Sequence, residues 1–183
     1  IPYDVIYDEE IISGKLSEYD WLHLHHEDFT GQFGKFWRVY QNAPWYQQDV
    51  AINTELAKKM GFLKVSEMKS FVSREIEKYV LNGGFLFAMC AATDTYDISL
   101  AAVGIDICES MFDGDPADKQ AQQKLDFSHT FAFKNFELNV DPYAYEFSNI
   151  DVTDTRKVLR DNDFFTLFDF SAKWDPVPTM LTQ

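Results

Sequence analysis

Residues 82–94, Asn-Gly-Gly-Phe-Leu-Phe-Ala-Met-Cys-Ala-Ala-Thr-Asp, constrain the fold more than any other stretch. Gly83 and Gly84 close a helical pattern, because glycine takes the left-handed cap without penalty. Phe85–Met89 is a continuous apolar run of strand length, the pattern of a strand buried on both faces. Cys90-Ala91-Ala92 follows with no loop, and Thr93-Asp94 opens a second helical pattern that runs to Val103. Helix, glycine stop, apolar strand, tight turn and helix is the grammar of an α/β fold.

The rest of the chain is read around that unit. Tyr3–Tyr7 reads as a short strand, and Glu9–Leu16 as a turn or helical stub around Gly14. Asp20 opens a strand-length run, Trp21–His26, which ends in Glu27-Asp28. The aromatic, glycine-bearing stretch Phe29–Trp45 reads as a long loop or lid with a short helix. Asp49–Met60 is an amphipathic helix with Gly61 as its stop. In Ser66–Leu81, residues Met68, Phe71, Val72, Ile76, Tyr79 and Val80 recur at three- and four-residue steps. Ser66 reads as its N-cap, with Lys69 at the third helical position and hence no capping box. After Gly104, a polar turn (113–118) precedes four strand candidates: Thr130–Phe133, Phe136–Val140, Ala144–Phe147 and Phe164–Phe170. They predict a strand-rich insertion after residue 104, and Trp174–Pro178 reads as extended. A length of 183 residues suits a single domain.

Charge and composition exclude whole classes. Sixteen basic against 30 acidic residues give a net charge of −14. Nucleic acid binding rests on Lys and Arg neutralising phosphates, so no nucleic acid partner is expected. An anionic membrane surface is disfavoured for the same reason. The charge fits a cationic or neutral partner, or solubility alone. The longest uncharged stretch, Tyr79–Thr93, is shorter than the about 20 apolar residues of a spanning helix, so no transmembrane segment is expected. Two cysteines, Cys90 and Cys108, are too few for a disulfide framework.

Cys90 is the first candidate for chemistry. A strand, a constricted turn and a helix describe a nucleophile elbow. Such a turn crowds the positions two before and two after the nucleophile, and these are Ala88 and Ala92. The thiol would be aimed out at the carboxyl end of the strand, at a helix N-terminus, where negative charge is stabilised. The N–H of Ala91 would serve an oxyanion. The plain structural alternative is a buried, inert cysteine ending a core strand.

The second candidate is His23-Leu24-His25-His26-Glu27-Asp28. Strand alternation puts His23, His25 and Glu27 on one face, and Leu22, Leu24 and His26 on the other. His25 or His26 would act as base for Cys90 or line its pocket, since open α/β sheets bind ligands at the carboxyl ends of strands. Glu27, Asp28, Thr93 and Asp94 complete the expected rim, as oxyanion donors or pocket residues. Structural histidines bonded to loop backbone are the alternative. A metal on His23, His25 and Glu27 is weakly signalled, and no metal or cofactor is assigned. Asp113, Asp115 and Asp118 depart from the EF-hand pattern and read as a solvated turn. The aromatics Phe33, Phe36, Trp37, Trp45 and Tyr46 form a lid, a partner surface or ordinary packing. No P-loop, GxGxxG, HExxH or GxSxG occurs.

Residues 82–94 (NGGFLFAMCAATD) with 20–28 (DWLHLHHED) resemble the class I glutamine-amidotransferase-like superfamily. More closely, DWLHLHHEDFTGQFGKF, GGFLFAMCAATDT, ICESMFDGDPAD and FDFSAKWDPVPTMLTQ resemble a family of larger Bacteroidetes-type proteins labelled asparagine synthetase B. The resemblance spans nearly the whole chain. It implies a flavodoxin-like three-layer sandwich with a mainly parallel sheet, forming an internal piece of a longer chain. It also implies export to the periplasm or cell surface. Cys90 carries over as the elbow residue. The elbow glycines of the superfamily are Ala88 and Ala92 here, and the SGGxDS loop of a true asparagine synthetase is missing. The family's catalytic His follows its Cys, and His129, in Phe-Ser-His-Thr, does not match that motif. The expected function is Cys-dependent hydrolysis or transfer at an amide or ester carbonyl. The alternative is a catalytically inactive binding or scaffold subunit of an envelope-associated assembly, with a small-molecule, carbohydrate or protein partner.

Overall fold

The computed structural model describes residues 2–150 together with 166–167 and 181–182. They fall into two units, 1–151 and 152–183. In the second unit, strand β3 (Thr166–Leu167) pairs antiparallel with β4 (Leu181–Thr182). The rest of the expected strand Phe164–Phe170, and the extended Trp174–Pro178, lie outside the described residues.

The first unit is built on a β-α-β connection. Its helices are α1 (Asp8–Ile12), α2 (Trp37–Tyr40), α3 (Pro44–Lys59), α4 (Val65–Leu81), α5 (Ala91–Ala101), α6 (Ser110–Asp113) and α7 (Ala121–Lys124). Strands β1 (Trp21–His25) and β2 (Phe85–Met89) are parallel, with Trp21 opposite Phe85 and His25 opposite Met89. Parallel strands require a long crossover, and α2, α3 and α4 supply it. This is mixed α/β structure around a small parallel sheet. No helix among the described residues is long and apolar enough to cross a membrane.

Local chemistry sets the helix ends. Pro44 starts α3 at the one helical position where a missing N–H is harmless. Gly61 and Gly83 take φ of +87° and +99° just past α3 and α4. The N–H of Gly84 reaches the carbonyl of Tyr79 at 3.0 Å and that of Gly83 reaches Val80 at 2.9 Å, a Schellman stop. At the start of α4 the expectation of a Ser66 cap fails. Lys64 is the cap residue, and the Glu67 carboxylate turns back to accept from the N–H groups of Leu63 (3.0 Å) and Lys64 (3.3 Å). A charged acceptor outcompetes a serine placed inside the first turn.

One face of the sheet carries the core. Leu22 and Leu24 pack with Val72, Ile76 and Tyr79 of α4 and Ala92, Tyr96 and Leu100 of α5, with Leu86 and Ala88 alongside. Among the described residues the other face is uncovered. Trp21, Phe85, Phe87 and Met89 are exposed, and so are His23 and His25. The expectation that β2 is buried on both faces is therefore corrected. Its apolar run is complete, yet none of the described residues covers the second face.

Two further expectations change. Tyr3–Tyr7 pairs with no strand among the described residues. Beyond Gly104 the expected strand-rich insertion is, among the described residues, two short helices, irregular chain and one antiparallel bridge, Leu138 to Ser148. Side chains there satisfy the backbone in place of a ladder. The buried Asp97 carboxylate accepts from the N–H groups of Phe131, Ala132 and Phe133 at 2.7–2.8 Å. Gln122 bridges Phe136 O and Leu138 N. Lys35 Nζ donates to the carbonyls of Asn139 (2.5 Å), Glu146 (2.8 Å) and Asp141 (3.2 Å).

Candidate functional site

Cys90 sits where β2 becomes α5, with φ +55° and ψ −137°. A side chain at positive φ is strained, by about 1–3 kcal/mol in such sparsely populated regions. The sulfur is free and exposed. The turn is closed by Cys90 O, which accepts from Thr93 N (3.0 Å) and Thr93 Oγ1 (2.6 Å). Ala92, two residues on, is fully buried against the core, where a larger side chain has no room. The N–H groups of Ala91 and Ala92 lie in the first helical turn, which has no intrahelical acceptors. Thr93 is thus a turn-closing residue, and Asp94 is buried in the helix that follows.

β1 ends beside this turn. His25 is opposite Met89, so His26 and Cys90 are the first residues past the paired register. His26 has φ +68°, and its ring lies 3.9 Å from that of His25, centroid to centroid. His23 Nε2 is 3.3 Å from Met89 Sδ. The left-handed turn at His26 breaks the alternation expected for Glu27. Glu27 leaves the exposed face of His23 and His25 and is half-buried, with Oε2 a buried oxygen that has no hydrogen-bond partner among the described residues. Its carbonyl accepts from Thr95 Oγ1 at 2.9 Å, which ties the end of β1 to α5.

Asp28 holds the loop that follows it. Its carboxylate accepts from Thr30 N (2.7 Å), Thr30 Oγ1 (2.6 Å) and Gly34 N (2.8 Å). Two N–H groups of the loop after Glu27 are therefore taken, and Gln32 N is taken by Thr30 Oγ1 at 3.3 Å. The stretch 29–45 is a loop with a short helix, α2, and ends in the first turn of α3, which starts at Pro44 where the sequence suggested Asp49; Lys35, within the loop, is buried. Lys35 is 3% exposed, and burial pushes its ammonium down to about 8 against the opposing pull of Asp141 and Asp28. No sequence pattern marks this lysine, because its partners are carbonyls more than 100 residues away.

A cavity of about 230 Å³ lies beside His26, lined also by Asp28, Phe36, Trp45, Asp49 and Asn53. A larger one, about 470 Å³, lies between α4 and residues 102–106, and Cys90 lines neither.

The remaining candidates have structural roles. Cys108 is buried, burial pushes its thiol up, and its Sγ donates to Thr30 O at 3.2 Å. His129 Nδ1 lies 2.7 Å from Glu77 Oε1. Asp106, Cys108 and Asp113 have atoms near enough to share a metal. Lys64 Nζ already supplies the cation there, at 2.6 Å from Asp106, 3.1 Å from Asp113 and 2.5 Å from Asp115. Asp118 is apart from them, paired with Lys124. Compared with known proteins, the chain matches no family model, no curated protein and no solved structure.

Proposed function

We propose that this chain is a class I glutamine-amidotransferase-like module, part of a flavodoxin-like three-layer sandwich, in which Cys90 attacks an amide or ester carbonyl. The observation that carries the reading is the Cys90 turn: a free, exposed thiol held at φ +55° at the start of α5. Strained backbone of this kind clusters at functional sites. The parallel pairing of β1 and β2 across a helical crossover supports the sandwich. The sequence resemblance supports export to the periplasm or cell surface.

In the reaction, the Cys90 sulfur forms a bond to the carbonyl carbon. The N–H groups of Ala91 and Ala92 receive the oxyanion. The amine or alcohol leaves with a proton from His26 or His25, which had taken the thiol proton. Water then hydrolyses the thioester and the thiol is restored. The test is alkylation with iodoacetamide at neutral pH, together with hydrolysis of glutamine and p-nitrophenyl acetate by intact protein and Cys90→Ala. Cys90 is expected to react faster than a free model thiol, and Cys90→Ala to lose hydrolysis. A Cys90 no faster than the model thiol, with Cys90→Ala unchanged in hydrolysis, overturns the proposal.

A second reading, a catalytically inactive binding or scaffold subunit of an envelope-associated assembly, is favoured by the exposed Trp21, Phe85, Phe87 and Met89 on one face. Contiguous apolar surface of this sort marks interaction sites. Under it, the protein purifies with a stable partner and Cys90→Ala is silent.

A further inference from the structure

The cavity beside His26 is not lined by Cys90. Its volume, about 230 Å³, is below the about 300–1,000 Å³ of drug-sized sites, so it admits one ring-sized group. Trp45, Asp49 and Asn53 stand at four-residue steps along α3 and so share one helical face, which forms one wall. The loop from Asp28 to Phe36 forms another.

Both walls are fixed in advance. The Asp28 carboxylate clamps the loop through Thr30 and Gly34. Gly31 lies so close to α4 that an added Cβ would meet Ser66 Cα at 2.7 Å. Trp45 is held by Phe36, Tyr40 and Tyr46, with ring centroids at 6.0, 5.1 and 5.8 Å. All three meet it edge-on or tilted, and half of Trp45 stays exposed.

The polar groups select by charge. Asp28 and Asp49 repel an anion. The Lys69 ammonium, which lines the same cavity, is already paired with Asp8 at 2.6 Å, so a cation is the charged competitor against which a neutral ligand is tested. Asn53 Nδ2 donates to Asp49 O (2.9 Å) and Asp49 Oδ1 (3.0 Å). Asp49 Oδ2 and Asn53 Oδ1 are left as neighbouring acceptors for hydroxyl donors. A pyranose offers such hydroxyls at its rim and a face of slightly positive C–H groups, which suits the negative face of an indole.

The geometry points to a monosaccharide-binding subsite here, with Trp45 as the platform and Asp49 and Asn53 as hydroxyl acceptors. It stands independently of the reaction proposed for Cys90. His26 borders both, so a sugar seated on Trp45 would lie on the approach to the end of β1.

The test is isothermal titration of the whole chain with glucose, galactose, mannose and N-acetylglucosamine, with choline as the cationic control. At least one sugar is expected to bind saturably with a Kd on the order of 1 mM. Asp49→Ala and Trp45→Ala are each expected to weaken it about tenfold or more, and Cys90→Ala to leave it unchanged. Trp45 also packs among aromatic neighbours, so Asp49→Ala, which removes an exposed carboxylate and the hydrogen bond it accepts from Asn53, decides the matter if Trp45→Ala does not fold. The proposal is overturned if no sugar binds, if choline binds and the sugars do not, or if binding survives in folded Asp49→Ala.

Discussion

Cys90→Gly should make the protein more stable than Cys90→Ala while abolishing the same thiol. Both variants remove an exposed sulfur, a change that by itself stays within about 0.5 kcal/mol. They differ in the backbone. At φ +55° and ψ −137° alanine keeps the strain of the native cysteine, and glycine has none. That strain is about 1–3 kcal/mol. Against it stands the extra chain entropy glycine loses on folding, about 0.5–1 kcal/mol. The difference leaves Cys90→Gly ahead by about 1 kcal/mol, or about 2–4 °C in Tm for a chain of this size. Thermal melts followed by far-ultraviolet circular dichroism, with urea titrations at constant slope, measure it. Equal stability of the two variants, or a less stable glycine variant, would refute the claim that this turn holds strain, and with it the main physical argument for an elbow.

Two other perturbations probe the frame around the site. Gly84→Ala places a Cβ 2.2–2.4 Å from ring carbons of Tyr79, so it should destabilise by about 1–3 kcal/mol in denaturant titration, and by less in a Tyr79→Leu background. Lys35→Met strands the carbonyls of Asn139, Asp141 and Glu146, at a cost of about 1–3 kcal/mol near neutral pH. The Lys35 ammonium titrates near 8 in the fold, below its unfolded range, so the unfolded chain holds more protons between about pH 8 and 10.5. Stability from Lys35 should therefore rise with pH across that window, and Lys35→Met should flatten that component of the profile.

Local signals in the sequence were strong where the chain makes its own structure. The Gly83-Gly84 stop, the apolar run of β2, the helix leaving Cys90 and the periodicity of α4 all rest on neighbours within a few residues, and each is found. The positive φ at Cys90 follows from having no loop between strand and helix. What was illegible depends on distant partners. The Phe- and Tyr-rich stretch from 130 to 147 has strand composition, yet Asp97, Gln122 and Lys35 occupy its backbone groups from outside. Composition also could not reveal the bare side of β2, because an apolar residue looks the same whether or not something covers it. Glu27 left its expected face through a single left-handed residue, His26, which carries no glycine to announce it.

The side-chain pegs on residues 131–146 have a kinetic consequence. Asp97 reaches across 34 to 36 residues and Lys35 across 104 to 111. Such closures give nothing back until the chain between them is already in place. Residues 131–146 are therefore expected to dock only after α5, which carries Asp97, has formed. Native-state hydrogen exchange should show their amides opening together at a lower free energy than those of β1, β2, α4 and α5.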